Sequence, residues 1–197
     1  AMLEVKSLTL GAYQTNCYII RSNASSRCCL IDPGYDADTV LDKLTELGLT
    51  VEAILLTHGH FDHVGAVREI AADTGCKVYL CAEDLSLPPQ LTAGKLYYTD
   101  TYGEGTTLRL AGLEMTVLHT PGHTPGSVCL RTESALFSGD TLFAGSCGRT
   151  DLPGGNWEQM QESLKRLAAI PENLWVLPGH GETTTLDSEK KCNPYLR

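Results

Sequence analysis

The sequence has few positive charges and gathers them nowhere. Its 15 Lys and Arg stand against 24 Asp and Glu, for a formal net charge of −9, and the longest basic run is Lys190-Lys191. No basic stripe offsets that charge, which argues against a nucleic-acid or anionic-membrane binder and leaves a small molecule as the expected partner. Long apolar runs are missing as well. Without a secretory h-region or a transmembrane stretch, the expected location is the cytoplasm. Ala1 ahead of Met2 reads as an addition before the native start. Among the eight cysteines no C-x-x-C spacing occurs, and Cys28-Cys29 are adjacent in a strand-like run, so free thiols in a reducing compartment are expected rather than a disulfide framework. At 197 residues the chain suffices for one domain with a sizeable core, expected to run over 1–197.

Histidine is also scarce, with six in all, yet three fall in Thr57-His58-Gly59-His60-Phe61-Asp62-His63 together with a carboxylate. His123 in Thr120-Pro121-Gly122-His123, Asp140 in Ser138-Gly139-Asp140 and His180 in Pro178-Gly179-His180 recur in similar settings. Each group follows an apolar, β-like run: 53–56, 115–118, 135–137 and 174–177. Four strand ends can face one edge of a sheet, where these side chains would share metal ions. Histidine and carboxylate ligands suit zinc, and also iron or manganese. His119 stands outside the pattern and is expected to be a packing residue.

The apolar spacing predicts strands over 5–10, 16–21 and 28–32 opening an antiparallel sheet. A helix follows, started by Asp36-Ala37-Asp38, faced by Val40, Leu41, Leu44 and Leu47, and stopped by Gly48. After the strand at 53–56, Val64, Val67, Ile70 and Ala71 continue as a second helix to Gly75. His63 is thereby set near a helix start, where the dipole disfavours a cationic imidazole. Residues 81–105, with Pro88-Pro89 and Tyr97, Tyr98 and Tyr102, lack periodicity and read as a long surface excursion, either pinned by buried tyrosines or covering a pocket. Strands over 106–110, 113–118, 127–132 and 135–139 follow, then a helix spaced by Trp157, Met160, Leu164, Leu167 and Ala168, and a strand over 174–177. Each half thus runs strands first and helix after. The expected class is α/β, a four-layer α/β/β/α sandwich of two mixed β-sheets face to face with helices outside, one mixed sheet being the alternative.

The pattern His-x-His-x-Asp-His followed by separate His, Asp and His resembles the metallo-β-lactamase superfamily, over residues 11–194. The resemblance implies a first metal at His58, His60 and His123, a second at Asp62, His63 and His180, and Asp140 bridging both; the antibiotic-degrading members lack that bridging aspartate. Residues 139–151, Pro178-Gly179-His180-Gly181 and Asn193-Pro194-Tyr195-Leu196 are most similar to the short bacterial type II glyoxalase, or hydroxyacylglutathione hydrolase-like, group. The implied activity is hydrolysis of a small acyl-thioester such as S-lactoylglutathione, with two divalent ions, zinc first and iron or manganese as alternatives. The glutathione-binding C-terminal helical domain of the long glyoxalases is not expected within 1–197. Those enzymes place a lysine near the position of Arg149, which makes Arg149 a candidate substrate contact, with a surface salt bridge to Asp151 or Glu158 as its other reading.

Two divalent ions in such a set bring the pKa of a bridging water near neutrality, and the resulting hydroxide can attack an acyl carbon, with Asp62 and Asp140 as the expected catalytic carboxylates. A thiolate, whose parent pKa is about 8.5, leaves without much protonation, whereas an amide nitrogen needs a donor and only His119 is spare. Three rivals stand beside this reading. Persulfide dioxygenases share Gly148-Arg149-Thr150-Asp151 but use a single iron. Lactone hydrolases carry a tyrosine where Phe143 stands. A merely structural metal would favour a closed, cysteine-rich shell.

Overall fold

In the computed structural model residues 2–196 are described; Ala1, read above as an addition before the native start, and Arg197 lie outside them. The first of two six-stranded sheets runs in the order β1 (Leu3–Leu10), β2 (Thr15–Ser22), β3 (Arg27–Ile31), β4 (Thr50–Leu55), β5 (Lys77–Cys81) and β6 (Asp100–Tyr102). β1 to β3 pair antiparallel, and the sheet turns parallel from β3 onward. Parallel neighbours need crossovers. These are α1 (Ala37–Leu47) between β3 and β4, and α2 (Phe61–Val64) with α3 (Val67–Thr74) between β4 and β5; α4 (Pro89–Thr92) precedes β6.

The second sheet opens with an antiparallel meander of β7 (Thr107–Leu110), β8 (Leu113–His119), β9 (Val128–Thr132) and β10 (Ala135–Gly139). A small hairpin, β11 (Leu142–Phe143) and β12 (Ser146–Cys147), and α5 (Trp157–Ala168) lead to β13 (Trp175–Pro178), which lies parallel to β10. β14 (Thr184–Thr185) closes that edge, followed by α6 (Leu186–Cys192).

Side-chain alternation with period two sorts the apolar residues into three layers of core. Between the sheets lie Tyr18, Ile20 and Leu55 from the first and Met115, Leu130 and Phe137 from the second. Their strand neighbours Ile19, Leu30 and Ile54 point the other way, against Val40 and Leu44 of α1 and Ile70 of α3. Leu136 and Val176 likewise point outward to Met160, Leu164 and Leu167 of α5 and to Leu186 of α6. Helix, sheet, sheet, helix is therefore the observed order. Cys28 and Cys29 divide between two of these layers, and all eight cysteines are free. Among the described residues no helix is long and apolar enough to cross a membrane.

Several expectations need correction. The helix read from Val64 to Gly75 is two pieces: at Ala66, φ −99°, the chain leaves helical geometry and its amide donates to the Pro33 carbonyl at 3.0 Å. The excursion at 81–105 is partly ordered: Ala82–Ser86 form a 3-10 turn, and Tyr102 sits in β6 with its hydroxyl donating to the Leu56 carbonyl at 2.6 Å. Tyr98 is exposed and Tyr97 half-buried, so only one of its three tyrosines is fully interred. Strands do not simply precede helices in each half, since β4 to β6 and β13 follow crossovers. Trp157 is exposed and meets Tyr195 edge-on, leaving Met160, Leu164 and Leu167 as the buried face of α5.

Phe137 is fully buried between the sheets and stands edge-on to Tyr18, ring centroids 5.3 Å apart. Phe137→Ala should cost roughly 3–5 kcal/mol, read as a lowered urea midpoint with unchanged m-value; a loss under about 1 kcal/mol would mean the inter-sheet layer repacks freely.

Candidate metal centre

The histidine and aspartate groups all leave strand ends. His58, His60, Asp62 and His63 follow β4, His123 follows β8, Asp140 follows β10 and His180 follows β13. Two glycines let these turns close. Gly139, with φ 53°, places its α-carbon where an added Cβ would meet the Thr57 hydroxyl at 2.6 Å; at Gly179 a Cβ would strike the His63 ring at 2.6 Å and an Asp140 carboxylate oxygen.

The seven side chains form two adjoining groups, His58, His60 and His123 in one and Asp62, His63, Asp140 and His180 in the other. In the first, His60 Nδ1 lies 3.1 Å from His123 Nε2. In the second, His180 Nε2 lies 3.0 Å from Asp62 Oδ2 and 3.3 Å from His63 Nε2. Asp140 spans both: Oδ2 is 3.3 Å from His123 Nε2 and 3.7 Å from His58 Nε2, while Oδ1 is 3.2 Å from His63 Nε2. Every member but His180 is buried.

The outer ring nitrogens are held from behind. His63 Nδ1–H donates to Asp32 at 2.8 Å, His123 Nδ1–H to the Arg149 carbonyl at 2.7 Å and His180 Nδ1–H to the Tyr13 carbonyl at 3.1 Å. His58 Nδ1 is 3.1 Å from the Thr57 hydroxyl, which itself donates to Asp32 at 2.6 Å. Such partners fix each tautomer so that the inner nitrogen keeps a lone pair for a metal. Asp32 also accepts from the Thr57 amide at 2.9 Å and holds an unusual left-handed backbone, φ 53°. A second buried acid, Asp84 of the 3-10 turn, accepts from the amides of Gly59 at 2.8 Å and Gly126 at 2.6 Å and from the Thr124 hydroxyl at 3.0 Å, tying the His58–His60 loop to the His123 loop.

Sequence reading assigned no role to Asp32 or Asp84. Asp32 carried a usable signal: it follows the apolar run Cys28-Cys29-Leu30-Ile31 and is joined by Pro33-Gly34, so it too is an acid at a strand end in a Gly/Pro turn. Asp84 carried none, because its partners are 25 and 42 residues away in sequence.

Electrostatics divide the groups. Burial drives His58 well below the ordinary histidine range and His60 down to about 4, so both are neutral at pH 7. At His63 burial acts in the same direction, but the charges of Asp140 and Asp32 outweigh it and raise the imidazole well above its usual range. Burial also opposes the charge on His180, where the hydrogen bonds it donates to Asp140 and Asp62 win and lift it to about 10. This corrects the helix-dipole argument for His63: α2 has only four residues, and two facing carboxylates override it.

Among the described residues four buried side-chain polar atoms have no hydrogen-bond partner, Thr15 Oγ1 away from the seven and, within them, His58 Nε2, His60 Nε2 and Asp140 Oδ1. Of these, His58 Nε2 and Asp140 Oδ1 face the clusters. Stranding such atoms is costly unless something else satisfies them, and a metal ion does. The donor set therefore fits two hard-to-borderline divalent ions. The Arg149 guanidinium pairs with Asp151 at 2.6 and 2.8 Å on the surface, and its carbonyl orients His123. His119 lies outside both groups, its Nε2 on the Pro125 carbonyl at 2.8 Å. Phe143 meets His180 edge-on at 6.1 Å.

Two facing sheets, a shared aspartate and five histidines at strand ends define a metal-dependent hydrolase class. The chain belongs to the metallo-beta-lactamase superfamily, whose family model matches residues 10–180. It is 34% identical over 209 residues to hydroxyacylglutathione hydrolase GloC of Haemophilus influenzae, covering 98% of each chain. Among solved structures it is similar to BLEG-1 B3 metallo-beta-lactamase, with TM-score 0.91, 35% identity and 99% of each chain covered. It is also similar to TTHA1623 in a di-iron-bound form, with TM-score 0.86, 40% identity, and 98% of this chain and 100% of that one covered.

Two outcomes follow. Asp32→Asn should weaken metal affinity about 10–100-fold with the circular dichroism spectrum unchanged, measured by competition with a chromogenic chelator; unaltered affinity would remove Asp32 from the support of the site. Metal at the second group must displace protons held by the raised His63 and His180, so affinity there rises with pH toward about 10, whereas the first group is already neutral. Stoichiometry measured across about pH 5.5 to 8.5 should fall from two ions toward one as the solution is acidified; equal pH dependence at both would contradict the assignment.

Proposed function

We propose that this hydrolase binds two divalent ions and cleaves small acyl-thioesters, with S-lactoylglutathione as the leading substrate. The observation that carries the reading is Asp140, whose two oxygens face the two groups of histidines at once. His58, His60 and His123 would hold one ion, Asp62, His63 and His180 the other, and Asp140 both. Bound there, the ions supply a water of near-neutral pKa and polarise an acyl oxygen. Asp62, 3.0 Å from His180, is set to accept and orient a proton of the attacking water. The burial of His58, His63 and Asp140 lowers the effective dielectric around them and strengthens each charge interaction.

Leaving-group demand favours the thioester. An amide needs a proton donor at nitrogen, and His119 is turned to the Pro125 carbonyl instead. A thiolate of parent pKa about 8.5 departs without one. The similarity to GloC supports the same substrate class. Zinc is the proposed metal, and the similarity to a di-iron-bound structure favours iron as its competitor. A second reading, β-lactam hydrolysis, is favoured by the similarity to BLEG-1, and leaving-group demand argues against it.

The test is a parallel assay of protein with measured metal content: thiol release from S-lactoylglutathione, opening of a chromogenic cephalosporin, and oxygen uptake with glutathione persulfide. Thiol release, lost in Asp140→Asn by at least about 100-fold (roughly 2.7 kcal/mol in transition-state stabilisation), is the expected result. Cephalosporin opening without thiol release would install the second reading, and oxygen uptake with one iron per chain would install a persulfide dioxygenase.

A further inference from the structure

A third group of metal-ligating side chains lies apart from the seven residues above. Cys81, Glu83 and His119 each offer a ligand atom, all within 4.8 Å of one another. They too come from strand ends, Cys81 and His119 being the last residues of β5 and β8. The three differ in exposure in a useful way. Cys81 is buried, His119 half-buried and Glu83 exposed, so an ion could enter from solvent on the Glu83 side. The Cys81 thiol donates to Glu83 Oε2 at 2.7 Å, which aims the sulfur at the carboxylate. His119 Nε2–H is committed to the Pro125 carbonyl at 2.8 Å, which fixes the tautomer and leaves Nδ1 with the lone pair a metal requires. Its backbone amide is held by Glu104 at 2.9 Å, and Arg166 pairs with that same Glu104 at 2.6 Å, so the nearby positive charge is compensated.

We propose that Cys81, Glu83 and His119 form a separate site for a single borderline-soft divalent ion of the zinc class, with thiolate, carboxylate and imidazole as three ligands and water as the fourth. Thiolate selects against magnesium and calcium, and three protein ligands with one open position are an ordinary zinc arrangement. Burial and the hydrogen bond to Glu83 raise the Cys81 thiol to about 12, so it keeps its proton until an ion displaces it. The site would brace the same loops that carry the dinuclear ligands: Asp84 lies three residues after Cys81, and Pro125 two after His123.

Cobalt(II) tests this independently of the proposed function, because none of the seven dinuclear ligands is a thiol. Protein already loaded with two equivalents of zinc is titrated with cobalt(II) while the near-ultraviolet thiolate-to-cobalt charge-transfer band is followed. The band should grow to one equivalent in wild type and in Cys192→Ser, weaken at least about tenfold in apparent affinity in His119→Gln and Glu83→Gln, and vanish in Cys81→Ser. The two exposed or half-exposed variants keep the test valid should Cys81→Ser fold poorly. No band in wild type, a band that survives in folded Cys81→Ser, or one that disappears in Cys192→Ser would overturn the site.

Discussion

Asp32 is a carboxylate with 1% of its surface exposed, and it takes three hydrogen bonds: two from Thr57 and one from the His63 ring. Through the Thr57 hydroxyl the same carboxylate reaches His58, so one buried charge orients a histidine in each half of the metal centre. It sits at the end of β3, whose partner β4 delivers His58 to His63 immediately beyond its own end. Parallel pairing of β3 and β4 is what brings Asp32 beneath that loop. The left-handed backbone at Asp32 is unfavourable for a residue with a Cβ, and the hydrogen bonds that depend on it are the compensation.

The centre is correspondingly uncomfortable without its ions. Asp140 and four histidines stand fully or nearly buried, with ring nitrogens and carboxylate oxygens facing one another at 3.1–3.7 Å. Like-natured lone pairs at such distances repel unless a proton or a cation lies between them. In the second group protons serve, which is why His63 and His180 are raised; in the first, His58 and His60 are too deeply buried to take them. Metal binding there becomes folding free energy, since the unfolded chain offers no such arrangement. The apolar layers on both sides of each sheet hold the strand ends in place against that repulsion.

Much of this was legible in the sequence because ligands at strand ends leave a local mark. An apolar run followed by a Gly- or Pro-containing turn that carries His or Asp marked all seven side chains that meet at the sheet edge, and two halves read as strands followed by a helix suggested the layer order. What was not legible depends on distant partners. Asp84 is one acid among 24 acidic residues until the fold brings Gly59 and Gly126 to it. Residues 81–105 look irregular because their order comes from Tyr102 reaching the Leu56 carbonyl and from the three-residue strand β6, too short to show periodicity. At the break between α2 and α3 the Ala66 amide donates to the Pro33 carbonyl, a partner invisible in the helical spacing of Val64, Val67 and Ile70.

Anomalous diffraction from crystals of the metal-loaded protein tests the shared role of Asp140 most directly. The account predicts two peaks, one within bonding distance of His58, His60 and His123 and the other of Asp62, His63 and His180, with the Asp140 carboxylate bound to both. A single peak in fully loaded protein, or two ions of which only one touches Asp140, would contradict it.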